Sequence, residues 1–293
     1  MRFLSLIVIF LCGAWLLLPI QKNIYMNYPQ HQQSVKENLI NRYNFFSKLM
    51  CFPTLALVVS KIFPIKHGLY EFKKGTHYYQ VFNILWYGSN QHMCKITIPE
   101  GWSSEKIFAY IRDDTSLSGP MPEFVANGYL WPSTYYYVNG TSRKKIIEMM
   151  KKECEKVHNL LWSQKSVWKS KQDWIIFASM IEKEGVDYDD KRQIANALWS
   201  RLQKKMRLQV DATVAYIKTS GMYNRIISRK DWWIQSPYNT YRNRGLPIAA
   251  ITNPSETSLM VSLQPTITDK IYYKVISAGK HYFSSSLKEH IFA

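Results

Sequence analysis

Two glutamates, Glu182 and Glu184, close an apolar run that begins at Ile175, and Gly185 follows them. A carboxyl in that setting is a candidate general acid. The spacing of Ile176, Met180 and Ile181 at i, i+4, i+5 predicts a helix with one buried stripe. Gly185 is read as its stop, taken in the left-handed conformation that closes many helices. Glu184 then sits at the carboxyl end, where the helix dipole disfavours a further negative charge. Apolar neighbours push the same way, towards a carboxyl still protonated near neutral pH. The same letters also describe an ordinary helix ending in a solvated Glu-Lys-Glu, so the surrounding elements have to decide.

Downstream, Asp189 and Asp190 are read as caps of a second helix with a stripe of Ile194, Leu198 and Leu202, and Arg192, Arg201, Lys204 and Lys205 off it. The stretch from Met206 to Val214 leads into loops around Gly221 and Asn224. Ser236 to Tyr241 and Gly245-Leu246-Pro247 are dense in turn formers and hydrogen-bonding side chains, as binding loops often are. Ile271 to Ile276 is predicted as a strand, with Tyr282-Phe283-Ser284 as its hairpin partner across Gly279. Upstream, Ser142 opens a helix through Ile146, Ile147, Met150 and Val157. A strand near Leu69, a helix from Tyr78 to Trp86, the strand Lys95 to Ile98 and a helix capped by Ser103 or Ser104 make a small α+β unit. Between these lies the aromatic run Asn127 to Tyr137, which suits sheet packing or stacking on sugar rings.

The chain has 293 residues, 46% hydrophobic and 15% aromatic, enough for a sizeable core. Its 38 Lys+Arg against 21 Asp+Glu give a net charge of +17, a field that favours anionic partners without choosing among them. A nucleic-acid binder rests on that charge alone and leaves the amino terminus unexplained. Phe3 to Ile20 carry no charge and nearly match the thickness of a bilayer core. No small-x-small cleavage site follows, so a retained anchor is expected, with Arg2 before it and the long remainder outside the cytoplasm. Residues 21 to 60 read as a connector or packed arm, and Thr115 to Pro122 as a hinge. Cys12, Cys51, Cys94 and Cys154 show no metal-ligand spacing, so no metal and no cofactor is expected.

In this order the segments resemble the MltG (YceG-like) family of endolytic murein transglycosylases. The resemblance runs from Gly68 to His290. It is carried by Lys66-His67-Gly68-Leu69-Tyr70 and Thr97-Ile98-Pro99-Glu100-Gly101-Trp102, then by Gly128 to Tyr135 and Ala178 to Glu184. It continues through Met206 to Val214, Ser236 to Tyr241, Gly245-Leu246-Pro247, Asn253-Pro254 and His281-Tyr282-Phe283 with Glu289-His290. The resemblance implies an α+β fold with an N-terminal transmembrane helix (1–22), a connector and LysM-like subdomain (23–115) and a mixed helix/strand lytic-transglycosylase-like catalytic domain (116–293).

It also implies cleavage of MurNAc-GlcNAc β-1,4 bonds inside peptidoglycan glycan strands, leaving 1,6-anhydro-MurNAc ends. One carboxyl protonates the leaving oxygen and then, as base, activates the muramic C6 hydroxyl. Glu184 is the residue implied for that role, with Glu182 as a supporting carboxylate. Gln209, Asp211, Thr213, Tyr238, Asn239 and Tyr241 match motif positions and are implied to line the cleft. The expected setting is the bacterial inner membrane, single-pass, with the catalytic domain on the extracytoplasmic side and cell-wall synthases as a partner class. The chain departs from the family pattern at Gly185, Asn127, Ser133, Ala212 and Ile248. A degraded, membrane-anchored peptidoglycan-binding scaffold is therefore the alternative expectation.

Overall fold

The structure, a computed structural model, describes residues 18–19, 24–28, 68–87, 93–162, 166–277 and 280–292. The elements run β1 (Ile24–Tyr28), β2 (Gly68–Phe72), α1 (Tyr78–Tyr87), β3 (Met93–Thr97), α2 (Ser104–Asp113), β4 (Thr134–Val138) and α3 (Arg143–Trp162). They continue with α4 (Lys171–Glu184), α5 (Tyr188–Gln203), α6 (Asp211–Thr219), a 3-10 turn (Arg229–Trp233), α7 (Glu256–Leu263), β5 (Tyr272–Ser277), β6 (Lys280–Ser284) and α8 (Leu287–Phe292). Among the described residues this is a mixed α+β fold with three two-stranded sheets, β1-β2, β3-β4 and β5-β6. Most of the Phe3–Ile20 run lies outside the described residues; among those described, no helix is long and apolar enough to cross a membrane.

The chain divides into two compact units. The first comprises the described residues up to Ile96 with Thr115–Ser118 and Tyr136–Ser142. Its antiparallel β1-β2 pair aligns Ile24 with Phe72 and Tyr28 with Gly68. Strand β1 falls in the stretch read from sequence as a connector. The buried core of this unit includes Tyr70, Phe72, Val81, Ile96, Leu117 and Tyr137.

The second unit is built around α4. Ser170 caps it, its hydroxyl accepting from the Asp173 amide at 3.0 Å. Every residue from Trp174 to Ile181 is buried, so the helix is enclosed on all sides rather than along the single stripe the spacing predicted. Phe177, Met180 and Ile181 pack with Ile194 and Leu198 of α5, and Trp174 and Ala178 pack with Leu259 and Leu263 of α7. Polar groups within this core are satisfied: the Trp174 indole donates to the Leu259 carbonyl at 2.9 Å, and the Ser179 hydroxyl accepts from the Ile251 amide at 3.1 Å. Truncating a side chain such as Phe177 to Ala in this enclosure would cost about 3–5 kcal/mol.

Two local readings are corrected. Helix α5 is capped by Asp187, which accepts from the Asp190 amide at 2.9 Å, so Asp189 and Asp190 fall within the first turn. Gly185 is extended, with φ −95° and ψ 150°, not left-handed. Glycine is needed there for space. A Cβ would lie 2.5 Å from Lys191 Cγ and 2.9 Å from Lys191 Cα, because α5 turns back tightly against the end of α4.

Candidate active site

The two glutamates at the end of α4 have opposite environments. Glu182 is buried and fully partnered. Its carboxylate accepts from the Ser255 amide and the Lys191 ammonium, each at 3.0 Å, and from the hydroxyls of Ser255 and Ser258. Ser255 is the cap of α7, so Glu182 ties the ends of α4 and α7 to the first turns of α5. Burial pushes its pKa up, but the hydrogen bonds from Ser255 and Ser258 and the Lys191 charge outweigh it and hold the carboxyl below the ordinary 4.5. Such a group is committed to staying charged.

Glu184 points the other way. Glu184 is part-buried, and its pKa is pushed up to about 7, chiefly by burial and then by the charge of Asp211. Three groups oppose the rise: the Tyr273 hydroxyl, the Ala212 amide and the Arg201 guanidinium. The Tyr273 hydroxyl donates to Glu184 Oε2 at 3.3 Å. Ala212 lies in the first turn of α6, and the residue at the cap position, Val210, supplies no side-chain bond. Glu184 thus occupies the place of a cap at the amino end of α6.

The other groups converge from three elements. Asp211 opens α6, and the Tyr241 hydroxyl donates to its Oδ1 at 2.5 Å. The indole of Trp232 lies flat on the Tyr241 ring, 4.7 Å between centroids and 8° between planes. Asn239 holds this loop, its amide donating to the carbonyls of Trp232 and Ile234 at 3.0 and 2.7 Å. Gln209, just before α6, is exposed and left-handed at φ 53°, with its amide donating to the Thr240 carbonyl at 3.2 Å.

The six expected cleft residues therefore separate. Asp211 and Tyr241 are bonded to each other beside Glu184, and Gln209 is exposed two residues before Asp211. Tyr238 is partly buried, its ring 5.0 Å from that of Tyr216. Thr213 and Asn239 are fully buried and lie behind the surface. Thr213 donates to the Val210 carbonyl at 2.7 Å and meets the Thr240 hydroxyl at 3.0 Å, joining the 210 and 240 segments.

Sequence reasoning missed two residues. Tyr273 comes from β5, far along the chain, on the hairpin face that also carries His281 and Phe283. Arg201 was placed on the polar side of α5, yet it is 7% exposed. Its Nε donates to the Ile271 carbonyl at 2.7 Å and its Nη1 to the Leu208 carbonyl at 2.6 Å, while the guanidinium carbon sits 6.0 Å from the Tyr273 ring centroid. It joins the segments that deliver Tyr273 and Asp211. Behind Tyr273, His281 Nδ1 meets Asp190 at 2.9 Å, a buried pair whose ring packs edge-on against the tyrosine. The one signal was the terminal strand pattern from Ile271, which places a tyrosine on an inward face without saying what it meets. Among the described residues, no group of three or more His, Cys, Asp or Glu side chains converges as a metal site would.

The departures noted in the sequence are also placed. Asn127 is buried, its carbonyl oxygen accepting from the Ser104 amide at 2.6 Å and its amide donating to the Tyr216 hydroxyl at 3.0 Å. Ser133 is exposed, Ala212 is buried and Ile248 is 60% exposed.

The sequence pattern of the YceG-like family matches residues 29–292. The chain is 32% identical over 255 residues to the endolytic murein transglycosylase of Bacillus subtilis, covering 76% of this chain and 70% of that protein. It is 24% identical over 272 residues to a protein of the same name from Streptococcus pneumoniae, covering 77% of this chain and 49% of the relative, about half its length. Among solved structures, a YceG-like protein from Listeria monocytogenes aligns with a TM-score of 0.55 at 28% identity, over 93% of this chain and 99% of that one. With the motifs in order, the fold shared and the match spanning most of its length, the chain belongs to the YceG-like family.

Proposed function

We propose that the protein is an endolytic peptidoglycan lytic transglycosylase that cleaves MurNAc-GlcNAc β-1,4 bonds and leaves 1,6-anhydro-MurNAc ends. Glu184 is the acid and then the base. The observation that carries this reading is the contrast at the end of α4: Glu182 is held below the ordinary carboxyl range, while Glu184 is pushed up to about 7. A group with its pKa near the working pH gives a proton and takes one back. Hydrolysis with a second carboxylate as nucleophile or water base is the usual alternative. Asp211 is the nearby carboxylate, and the Tyr241 hydroxyl already bonds to it. That arrangement suits a residue that orients and raises its neighbour. Gln209 and Tyr241 are assigned to hold the sugar.

The finer parts of the reading follow. Phe3 to Ile20 forms a single-pass anchor in the bacterial cytoplasmic membrane, with the catalytic domain on the extracytoplasmic side. The segment from β2 to α2 acts as a LysM-like module on the strand, and cell-wall synthases working on the same strands are its expected partners. The test is digestion of purified glycan strands and mass spectrometry of the products. Anhydro-muropeptides that vanish in Glu184→Gln and persist in Glu182→Gln are the expected result. Strands bound without any anhydro product would leave a wall-binding scaffold instead.

A further inference from the structure

The hairpin that brings Tyr273 to Glu184 is fastened to α5 at two points, one on either side of that tyrosine. At its entry, Arg201 Nε donates to the Ile271 carbonyl at 2.7 Å. Nearer its turn, His281 Nδ1 lies 2.9 Å from Asp190 Oδ1 and 3.0 Å from Oδ2. A carboxylate only accepts, so Nδ1 carries the hydrogen and donates. Arg201 and Asp190 stand eleven residues apart on α5, about 16 Å at 1.5 Å each. Ile271 and Val275, the register partner of His281, stand four residues apart, about 14 Å along a strand. The two spans match, so the hairpin runs along α5 with Tyr273 held between its fastenings.

Asp190 has a second partner. Its Oδ2 also accepts from the Val186 amide at 3.1 Å, and Val186 is two residues beyond Glu184. One carboxylate therefore fixes both the turn that leaves the acid and the hairpin that faces it. The histidine passes this constraint on through its ring, which packs edge-on against Tyr273, 5.6 Å between centroids and 76° between planes. Phe283 closes the same face, 6.0 Å from the Tyr273 ring and 6.2 Å from that of His281. The side chains of His281 and Asp190 are 5% and 11% exposed, so they act through the tyrosine rather than on a ligand. Lys191, next to Asp190 in the chain, is bonded to Glu182 and Ser255 instead.

We infer that Asp190 and His281 are positioning residues for the acid, together setting the Tyr273 hydroxyl on Glu184 Oε2. This rests on the transglycosylase reading and names what holds its acid in place. A loosened tyrosine withdraws a hydrogen bond that favours the ionised carboxyl, so the Glu184 pKa rises further. The other groups that act on Glu184 stay where they are. These are Asp211 and the Ala212 amide of α6, Arg201 of α5, Tyr241 of the adjoining loop and Lys183 beside it in the chain.

The experiment records pH–rate profiles of the full chain on glycan strands, for the parent and four variants. His281→Phe keeps a ring against Tyr273 and removes the donor. His281→Asn keeps an amide donor for Asp190, which protects the fold, and removes the ring. Each should move the falling limb up by about 0.5–1 pH unit, the size of one ordinary hydrogen bond. Each should lower kcat about tenfold with KM unchanged, because the acid and not the strand is misplaced. Tyr273→Phe should do the same, and adding His281→Asn to it should move the limb no further. A parent-like limb in folded His281→Asn would overturn the inference. So would an equal shift from His281→Asn in the parent and in Tyr273→Phe, which would show a route that bypasses the tyrosine. Thermal melts of each background against its Glu184→Gln partner read the same carboxyl without substrate. The pH at which their difference levels off should rise by the same amount in His281→Asn. If no protein yields anhydro product and that pH still rises, the catalytic reading fails and the positioning stands.

Discussion

Replacing Glu184 by Gln should abolish turnover and, above neutral pH, make the protein more stable. The folded state holds the carboxyl proton up to about pH 7, whereas an ordinary carboxyl releases it near 4.5. Between those values the folded protein binds more protons than the unfolded chain, so stability falls as pH rises and levels off above about 7. The displacement from 4.5 to about 7, at about 1.4 kcal/mol per pH unit, comes to about 3 kcal/mol. Glutamine removes that dependence and still offers an oxygen to the Ala212 amide. The melting temperature of the variant should therefore match the parent near pH 4.5 and exceed it by about 6–12 °C at pH 8, at about 2–4 °C per kcal/mol for a domain of this size. Thermal melts of the full chain from pH 4 to 9 give the difference directly. A variant-minus-parent difference that stays flat across that range would falsify the assignment of a buried, proton-holding carboxyl.

The neighbouring sites respond differently. Glu182→Gln leaves Lys191 buried without its carboxylate and should cost about 3–5 kcal/mol, read as a lower denaturation midpoint in urea; adding Lys191→Met should recover part of that loss. The rate on glycan strands should fall as pH rises above about 7. Asp211→Asn removes the charge that raises Glu184 and should move that falling limb to lower pH, while Arg201→Gln should move it higher; a pH–rate profile that ignores both changes would separate these residues from the acid. Gly185→Thr brings a Cβ within 2.5 Å of Lys191 Cγ and 2.9 Å of its backbone, and should destabilise by about 1–3 kcal/mol in a chemical denaturation series.

Local patterns carried the elements whose causes are local. The buried helix ending at Glu184, the Ser103 cap of α2 and the hairpin from Tyr272 follow from apolar spacing, capping chemistry and turn residues; the sequence places the end of that helix, the cap and the strands within a residue or two, while the helix begins at Lys171, four residues before the apolar run. Residues 206 to 241 were legible as a motif but not as a shape. Their apolar pattern is too short to announce α6, and only the fold reveals that Asp211 begins a helix while Thr213 turns inward. The partners of Glu184 were less legible still. Tyr273 reaches it from 89 residues away. Arg201 looks like any surface arginine until its carbonyl partners, Leu208 and Ile271, are seen to surround it. Glu182 and Glu184 are both carboxylates at a helix end in the sequence. What divides them is a serine cap and a lysine on one side and an aromatic hairpin on the other.

The position of Glu184 between the carboxyl end of α4 and the amino end of α6 has a consequence for the energy of a turnover. The end of its own helix opposes a negative charge, while the first amides of the facing helix welcome one. These opposed fields, set against burial, leave the protonated and ionised forms nearly equal in free energy at neutral pH. Under the proposed chemistry the same oxygen surrenders a proton to the leaving group and recovers one from the attacking hydroxyl. With neither form a thermodynamic sink, the carboxyl can both give a proton and take one, and the enzyme returns to its starting state without drawing a proton from solvent.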